Sequence, residues 1–362
     1  MAISKVALML DILNLLPERE TFERCQFLLH FLAMVRSVAG RTKAINEALH
    51  QIMERREEVV QIGVGVNTPW YVGQTMKGLL DRYGEDRLMD TPVSESCITG
   101  VAVGASMTGM RSILTFPRMD FMYYAMDQLC NHAAILNYSL GGKTPVKLTV
   151  RAIINRGGEQ AAQHSQATQA IFMHIPGFRV IAPSNPRDAK GMLAAAVEFG
   201  SPVIYVEDRW LYNEQGEVPE EYYTTSLDKA EIMRPGSDLT LISSSFMLIE
   251  CLKAASDLDA EGIRAEVIDL RILKPIDEKT LLESVERTGR VLVVDGGWKT
   301  CGVAAEISAI IGSKGFRHLK APVERVTLPD IPAPASRTLE RAYYPDKEII
   351  KNKIKEIVSY TR

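Results

Sequence analysis

Short β-branched runs alternate with amphipathic stretches along most of this chain, and that alternation constrains the fold more than any other feature. The runs are VVQIGVGV (59–66), MRSILTF (110–116), VKLTVRAI (146–153), FRVIAPS (178–184), SPVIYVED (201–208), LTLISSS (239–245), RAEVIDL (264–270) and RVLVVDGG (290–297). Apolar runs of this length read as strands buried on both faces. Helical patterns lie between them. Ala44, Ile45, Ala48, Leu49 and Ile52 recur at helical spacing, and PRDAKGMLAAAVEF opens with Pro186, with Asp188 in the first turn. The alternation predicts an α/β fold with mostly parallel sheets flanked by helices.

The chain has 362 residues, too many for one comfortable domain, so two are expected. The texture turns polar, acidic and turn-rich after about residue 213. We therefore expect a first domain over 41–215, a linker over 216–230 and a second domain over 231–362. Residues 1–40 are expected to form a helical N-terminal extension with a break at Pro17. Its most apolar stretch, CQFLLHFLAMV (25–35), is far short of a membrane span and carries His30. Asp11, Glu18, Glu20 and Glu23 argue against a transit peptide. The net charge is −3 and Lys/Arg form no long run, so neither a nucleic acid nor a membrane is an expected partner. The five cysteines (Cys25, Cys97, Cys130, Cys251 and Cys301) are scattered and never closely spaced. That pattern fits a reducing, cytoplasmic setting.

Several residues are candidates for chemistry. Glu95 is a lone acid before a run of small residues, Gly100, Ala102, Gly104, Ala105 and Gly109. It either complements a helix dipole or serves a partner in a dry pocket. Small side chains in that run would let the helix lie close against another backbone. GGEQAAQHSQ (157–166) is a glycine-led polar loop beside a strand end. Its His164 is the side chain best suited to moving protons near neutral pH; a surface loop with a backbone-bonded histidine is the alternative. His174, in HIPG, reads as a packing histidine. MDFMYYAMDQLCNHAAIL reads as an amphipathic helix, from which one ring, such as Phe121, could stack on a flat cofactor. VDGGWKTCG fits neither a dinucleotide fingerprint nor a Walker loop and reads as a tight strand-to-helix turn.

Read together, DTPVSESCITGVAVGASMTGMRS, MDFMYYAMDQLCNHAA, GGEQAAQHSQATQAIFMHIPGFRVIAPSNPRDAKG, SPVIYVED, GEVPEE, EVIDLRILKPIDEKTLLESVERTGRVLVVDGG and APVERVTLPDIPAP closely resemble one family, in order and over roughly 41–360. It is the beta subunit of thiamine-diphosphate-dependent 2-oxoacid dehydrogenases, shared by pyruvate, branched-chain and acetoin dehydrogenases. The resemblance implies a pyrimidine-binding domain followed by a transketolase-type C-terminal domain. It implies an alpha subunit in an α2β2 tetramer, a lipoyl acyltransferase as further partner and a 2-oxo acid as substrate. The implied cofactor is thiamine diphosphate, with its pyrophosphate and magnesium on the alpha subunit. This chain lacks the Gly-Asp-Gly…Asn metal motif, and VDGG falls in the wrong domain to replace it, so no metal ligand is assigned here. A structural potassium near 184–206 is implied by some members. Position by position, Glu95 matches the carboxyl that hydrogen-bonds to the aminopyrimidine, Val93 an apolar contact to it and Phe121 the aromatic packed against it. Pro117 stands beside the cofactor pocket. His164 matches the active-site histidine of the AQHSQ segment, implied to assist reductive acyl transfer to lipoyl groups.

The chain departs from the family in places. Val64 and Gly65 stand where two acids are usual, and Thr115 replaces an acid. Residues 1–40 have no counterpart. These departures mark a divergent member. A split transketolase-like or acyloin-forming enzyme, and a non-catalytic scaffold subunit, are the alternatives.

Overall fold

The computed structural model describes residues 36–361. The chain divides into two units, residues 1–37 with 219–221 and residues 38–218 with 222–362. Both large sheets and the candidate site belong to the second unit. Most of the expected helical extension, residues 1–35, lies outside the described residues. Its last part differs from expectation: Arg36–Gly40 is a strand.

The main strands are β1 (Val59–Gly63), β2 (Leu88–Asp90), β3 (Arg111–Phe116), β4 (Leu148–Ile154), β5 (Arg179–Ile181), β6 (Val203–Asp208), β7 (Glu231–Arg234), β8 (Leu239–Ser243), β9 (Ala265–Asp269), β10 (Ile272–Lys274), β11 (Val291–Trp298) and β12 (Glu324–Leu328). The longer helices are α1 (Arg41–Arg55), α2 (Glu95–Met107), α3 (Pro186–Glu198), α4 (Phe246–Leu258), α5 (Glu278–Thr288), α6 (Val303–Lys314) and α7 (Lys347–Ser359). A 7-stranded sheet runs β10-β5-β6-β4-β3-β1-β2, and a 5-stranded sheet runs β12-β11-β8-β9-β7. Pairing is parallel except at one edge of each sheet, where β10 meets β5 and β7 meets β9 antiparallel.

The strand sequences explain the layers. Alternate residues point to opposite faces. Val60, Ile62, Leu114, Phe116, Val150 and Ile204 enter one core with Ile98 and Ala102 of α2, and this core continues through Ile242, Ile268, Val293 and Ile307. Val59, Ile113, Val203 and Tyr205 enter the other, beneath α1 and α3. The far face of the second sheet is covered by α4 and α7, whose Cys251, Ala255, Ile350 and Ile354 are fully buried. Local signals set the helix ends. Asn185 accepts from the Asp188 N–H at 2.8 Å, with Pro186 opening α3. Asp277 accepts from the Thr280 N–H at 3.2 Å, and Gly289 closes α5 at a φ of 72°.

Two further features of the structure bear on the sequence reading. The segment expected as one amphipathic helix is a tight 3₁₀ run over Met119–Ala125, then a π-type run over Asp127–Ala133. Side chains three apart eclipse in the tighter coil, so Met119, Met122 and Ala125 share the buried side. The middle of the segment expected as a linker, 216–230, is hydrogen-bonded to α3. Tyr223 Oη donates to Arg187 O at 2.6 Å, and the Thr225 N–H donates to Gly191 O at 3.0 Å, laying this segment along α3.

Candidate active site

Loops gather at the carboxyl ends of the central strands of the first sheet, where ligands of open α/β sheets sit. Pro117 follows β3 and is buried. Asn155 follows β4 and Arg209 follows β6. With Trp70, Arg118 and Tyr212 they line a cavity of about 180 Å³. Arg209 Nη1 donates to Asn155 Oδ1 at 2.6 Å.

Glu95 opens α2. Thr99 Oγ1 donates to the Glu95 carbonyl at 2.6 Å, tying down the first turn. The helix buries Ile98, Thr99, Ala102, Val103 and Ser106 and packs against β3 and the 119–125 turn. The Glu95 side chain is partly exposed, and its carboxyl makes no hydrogen bond or ion pair among the described residues. Val93, just before it, is 75% exposed. The close backbone approach expected of the small residues is not made at Gly100 or Gly104 among the described residues. A Cβ at Gly104 would meet nothing within 4 Å, and one at Gly100 would meet only Gln128, at 3.7 Å. Small side chains permit such an approach without supplying a neighbour.

His164 lies on a loop of unusual backbone. Gly157 and Gly158 have φ of 72° and 69°, and Glu159 and Ala161, which carry a Cβ, have φ of 64° and 60°. Such non-glycine residues cost about 1–3 kcal/mol each and persist only where surroundings over-determine them. The surroundings here do so. Asn155 Nδ2 donates to Gln160 Oε1 at 2.7 Å, Ser165 Oγ to Asn155 O at 3.3 Å, and the Glu159 N–H to Glu340 Oε2 at 3.3 Å. Gly157 needs its missing side chain as well, since a Cβ would stand 2.2 Å from the Trp210 indole nitrogen. The half-buried His164 ring meets Phe121 edge to face, centroids 5.5 Å apart.

The structure thus joins His164 to Phe121 and sets Pro117 in the small cavity, while Glu95 and Val93 stand on a helix that packs against the Phe121 turn. His174 is not a packing histidine. It is exposed and lines a cavity of about 900 Å³ with Leu273, Lys274, Ile276 and Cys301; none of the predicted site residues lines that cavity. VDGG lies inside β11, and the turn to α6 follows over 299–302: Asp295 accepts from the Gly297 and Ala304 N–H groups at 2.9 and 3.2 Å, and a Cβ on Gly296 would strike the Arg156 guanidinium. Sequence reasoning missed three side chains under the loop. Arg156 and Asp208 form a buried ion pair at 3.1 Å, and burial pushes the Asp208 carboxyl up against the pull of Arg156. Asp120, 5% exposed, accepts from the Gln166 N–H at 3.2 Å. An acid inside a methionine-rich apolar turn was the available signal for Asp120. Among the described residues, no group of three or more His, Cys, Asp or Glu is placed to hold a metal ion, and no helix is long and apolar enough to cross a membrane.

Two mainly parallel sheets, a carboxylate left free at a helix start and a strained histidine loop define a transketolase-type α/β protein. Residues 39–215 match the transketolase pyrimidine-binding domain family and residues 228–350 the transketolase C-terminal domain family. The beta subunit of acetoin:2,6-dichlorophenolindophenol oxidoreductase from Bacillus subtilis is 41% identical, over 86% of this chain and 95% of its own length. The pyruvate dehydrogenase E1 beta subunit of Staphylococcus epidermidis is 36% identical, over 88% and 98%. A split-gene transketolase, solved as an inactive beta4 tetramer, shares the fold at a TM-score of 0.73 and 20% identity, over 89% of this chain and 99% of that one. The chain belongs to the beta subunits of thiamine-diphosphate-dependent 2-oxoacid dehydrogenase E1 components.

Proposed function

We propose that this chain supplies half of an active site that takes an acyl group from a 2-oxo acid and passes it to a lipoyl carrier. Residues 41–215 hold the aminopyrimidine end of thiamine diphosphate, 216–230 link, and 231–362 form the C-terminal domain. An alpha subunit in an α2β2 tetramer holds the pyrophosphate and magnesium. A potassium near 184–206 and a lipoyl acyltransferase complete the assembly. The scattered cysteines, of which Cys97, Cys130, Cys251 and Cys301 are free, support a cytoplasmic setting.

When bound, thiamine diphosphate supplies an electron sink for cleaving the bond beside the 2-oxo carbon. The chain's own residues have distinct tasks. Glu95 presents its carboxyl to a ring nitrogen of the aminopyrimidine and shares a proton with it. Val93, Pro117 and Phe121 give the flat ring apolar walls, and water excluded by them strengthens that hydrogen bond. His164 delivers a proton to the lipoyl sulfur that does not take the acyl group, as the disulfide is reduced. The single observation that carries the reading is Glu95. Its carboxyl sits at a helix start with no partner among the described residues, beside an apolar side chain left bare.

The test is to purify the chain with its alpha subunit and assay 2-oxo acids with a lipoyl domain. Turnover that needs both thiamine diphosphate and the lipoyl domain is expected; aldehyde acceptors supporting turnover instead would favour a split transketolase. A second reading has its own support. Two relatives whose names specify acetoin are 41% and 43% identical, against 36% for the Staphylococcus pyruvate relative. Acetoin cleavage, releasing acetaldehyde rather than carbon dioxide, belongs in the same assay.

A further inference from the structure

The Met119–Ala125 turn reaches the histidine loop through three side chains. Phe121 meets the His164 ring. Asp120 Oδ1 accepts from the Gln166 N–H at 3.2 Å, and Tyr123 Oη donates to Gln166 Oε1 at 3.3 Å. Gln166 therefore makes two hydrogen bonds with one short turn, two residues beyond His164. The loop's other anchors, from Asn155 and Glu340, act at Glu159, Gln160 and Ser165. The backbone between carries non-glycine residues at positive φ and will not hold that shape unaided. Asp120 is also an expensive residue to bury. Its Oδ2 has no hydrogen-bond partner among the described residues. Burial raises its carboxyl, and the Gln166 hydrogen bonds and the nearby His164 pull it the other way.

We propose that Asp120, with Tyr123, clamps Gln166 and is thereby a positioning residue for His164 in acyl transfer. The inference rests on the acyl-transfer role proposed for His164. The clamp acts through geometry: a loop released at Gln166 leaves the imidazole free to leave the Phe121 edge, and small misplacements of a catalytic group carry large rate penalties. An acceptor oxygen at the Asp120 side chain is what the clamp requires, so an amide at this position keeps the bond.

The experiment uses the complex of this chain with its alpha subunit and two readouts. The first is hydrogen exchange in the peptide spanning 160–168. Asp120→Ala is expected to speed exchange at least about tenfold there, and Asp120→Asn to keep most of the protection. Exchange equal to the parent protein in Asp120→Ala would overturn the clamp. The second readout is the ratio of acyl transfer to a lipoyl domain over turnover with an artificial oxidant. Asp120→Ala is expected to lower that ratio at least about tenfold. It should lower it little further in a His164→Ala background. Losses that multiply with those of His164→Ala, or that Asp120→Asn shares in full, would assign Asp120 a merely structural role and overturn the proposal. If His164→Ala leaves the ratio unmoved while exchange responds to Asp120→Ala, the His164 role fails and the clamp stands. Should Asp120→Ala not fold, Tyr123→Phe, which removes only the second bond, is expected to give smaller shifts of the same sign in both readouts; no shift in either would overturn the proposal.

Discussion

Phe121 and His164 stand edge to face, their ring centroids 5.5 Å apart and their planes at 77°. Such a pair contributes about 0.5–1.5 kcal/mol beyond area burial. Phe121→Leu keeps an apolar wall but removes the ring edge. It should lower acyl transfer by roughly threefold to tenfold and raise the thiamine diphosphate concentration needed for half activity. Cofactor titrations of the complex would check both; an unchanged titration would remove Phe121 from the cofactor pocket.

Arg151 and Glu207 form a doubly bonded pair inside the first sheet, at 2.6 and 3.1 Å, with neither side chain exposed. Thr75 accepts from the same guanidinium at 2.9 Å, and Tyr212 donates to the carboxylate at 3.0 Å. Glu207→Gln leaves a buried cation short of its counter-charge. A loss of about 3–5 kcal/mol is expected in urea unfolding, and Arg151→Met with Glu207→Leu should recover part of it. A single-mutant loss below about 1 kcal/mol, the range of exposed pairs, would contradict the burial.

Gly177 has a φ of 101°, and a Cβ there would stand 2.0 Å from the Ala134 carbonyl oxygen. Gly142 has a φ of 77° with nothing within 4 Å. Gly177→Ala should therefore cost about 2 kcal/mol or more, and Gly142→Ala about 1 kcal/mol. Equal losses in thermal unfolding would contradict the close approach.

Asp269 is fully buried. It accepts from Ser184 Oγ at 2.9 Å and the Arg271 N–H at 3.1 Å. Burial, then the charge of Asp188, pushes its carboxyl up to about 8. An unfolded aspartic acid loses its proton near pH ~4, so the stability this group lends is full below that and is lost as pH rises through its folded value. Asp269→Asn, which never ionises, should lose less Tm than the parent protein between about pH 5 and about pH 9. Parallel Tm curves would contradict a protonated Asp269.

The legible parts of the fold were those with strong periodicity. Runs such as LTVRAII and LTLIS became β4 and β8 because apolar β-branched residues fill both faces of a covered sheet. The edge strands LMD, ILK and EIMR, only three or four residues long, carry too little pattern to read. Their place is set by the sheet they join, as when Ile272–Lys274, from the second half of the chain, pairs with β5. Glu95 and His164 were visible through neighbouring motifs. Asp120 carried only the signal of an acid inside an apolar turn, because its importance lies in a contact with Gln166, 46 residues away. The tight coil over Met119–Ala125 was likewise hidden, since a run of Met and Tyr suits a 3₁₀ turn and an α-helix alike.

The central claim is that Glu95 holds one end of thiamine diphosphate while a second subunit holds the other. The most direct measurement is thiamine diphosphate binding by calorimetry, with turnover, for the parent protein and Glu95→Gln, each alone and with the alpha subunit. We expect weak binding by the chain alone, tight binding by the parent complex, and an intact Glu95→Gln complex that does not turn over. Tight binding by the isolated chain, or near-parental activity of Glu95→Gln, would contradict the account.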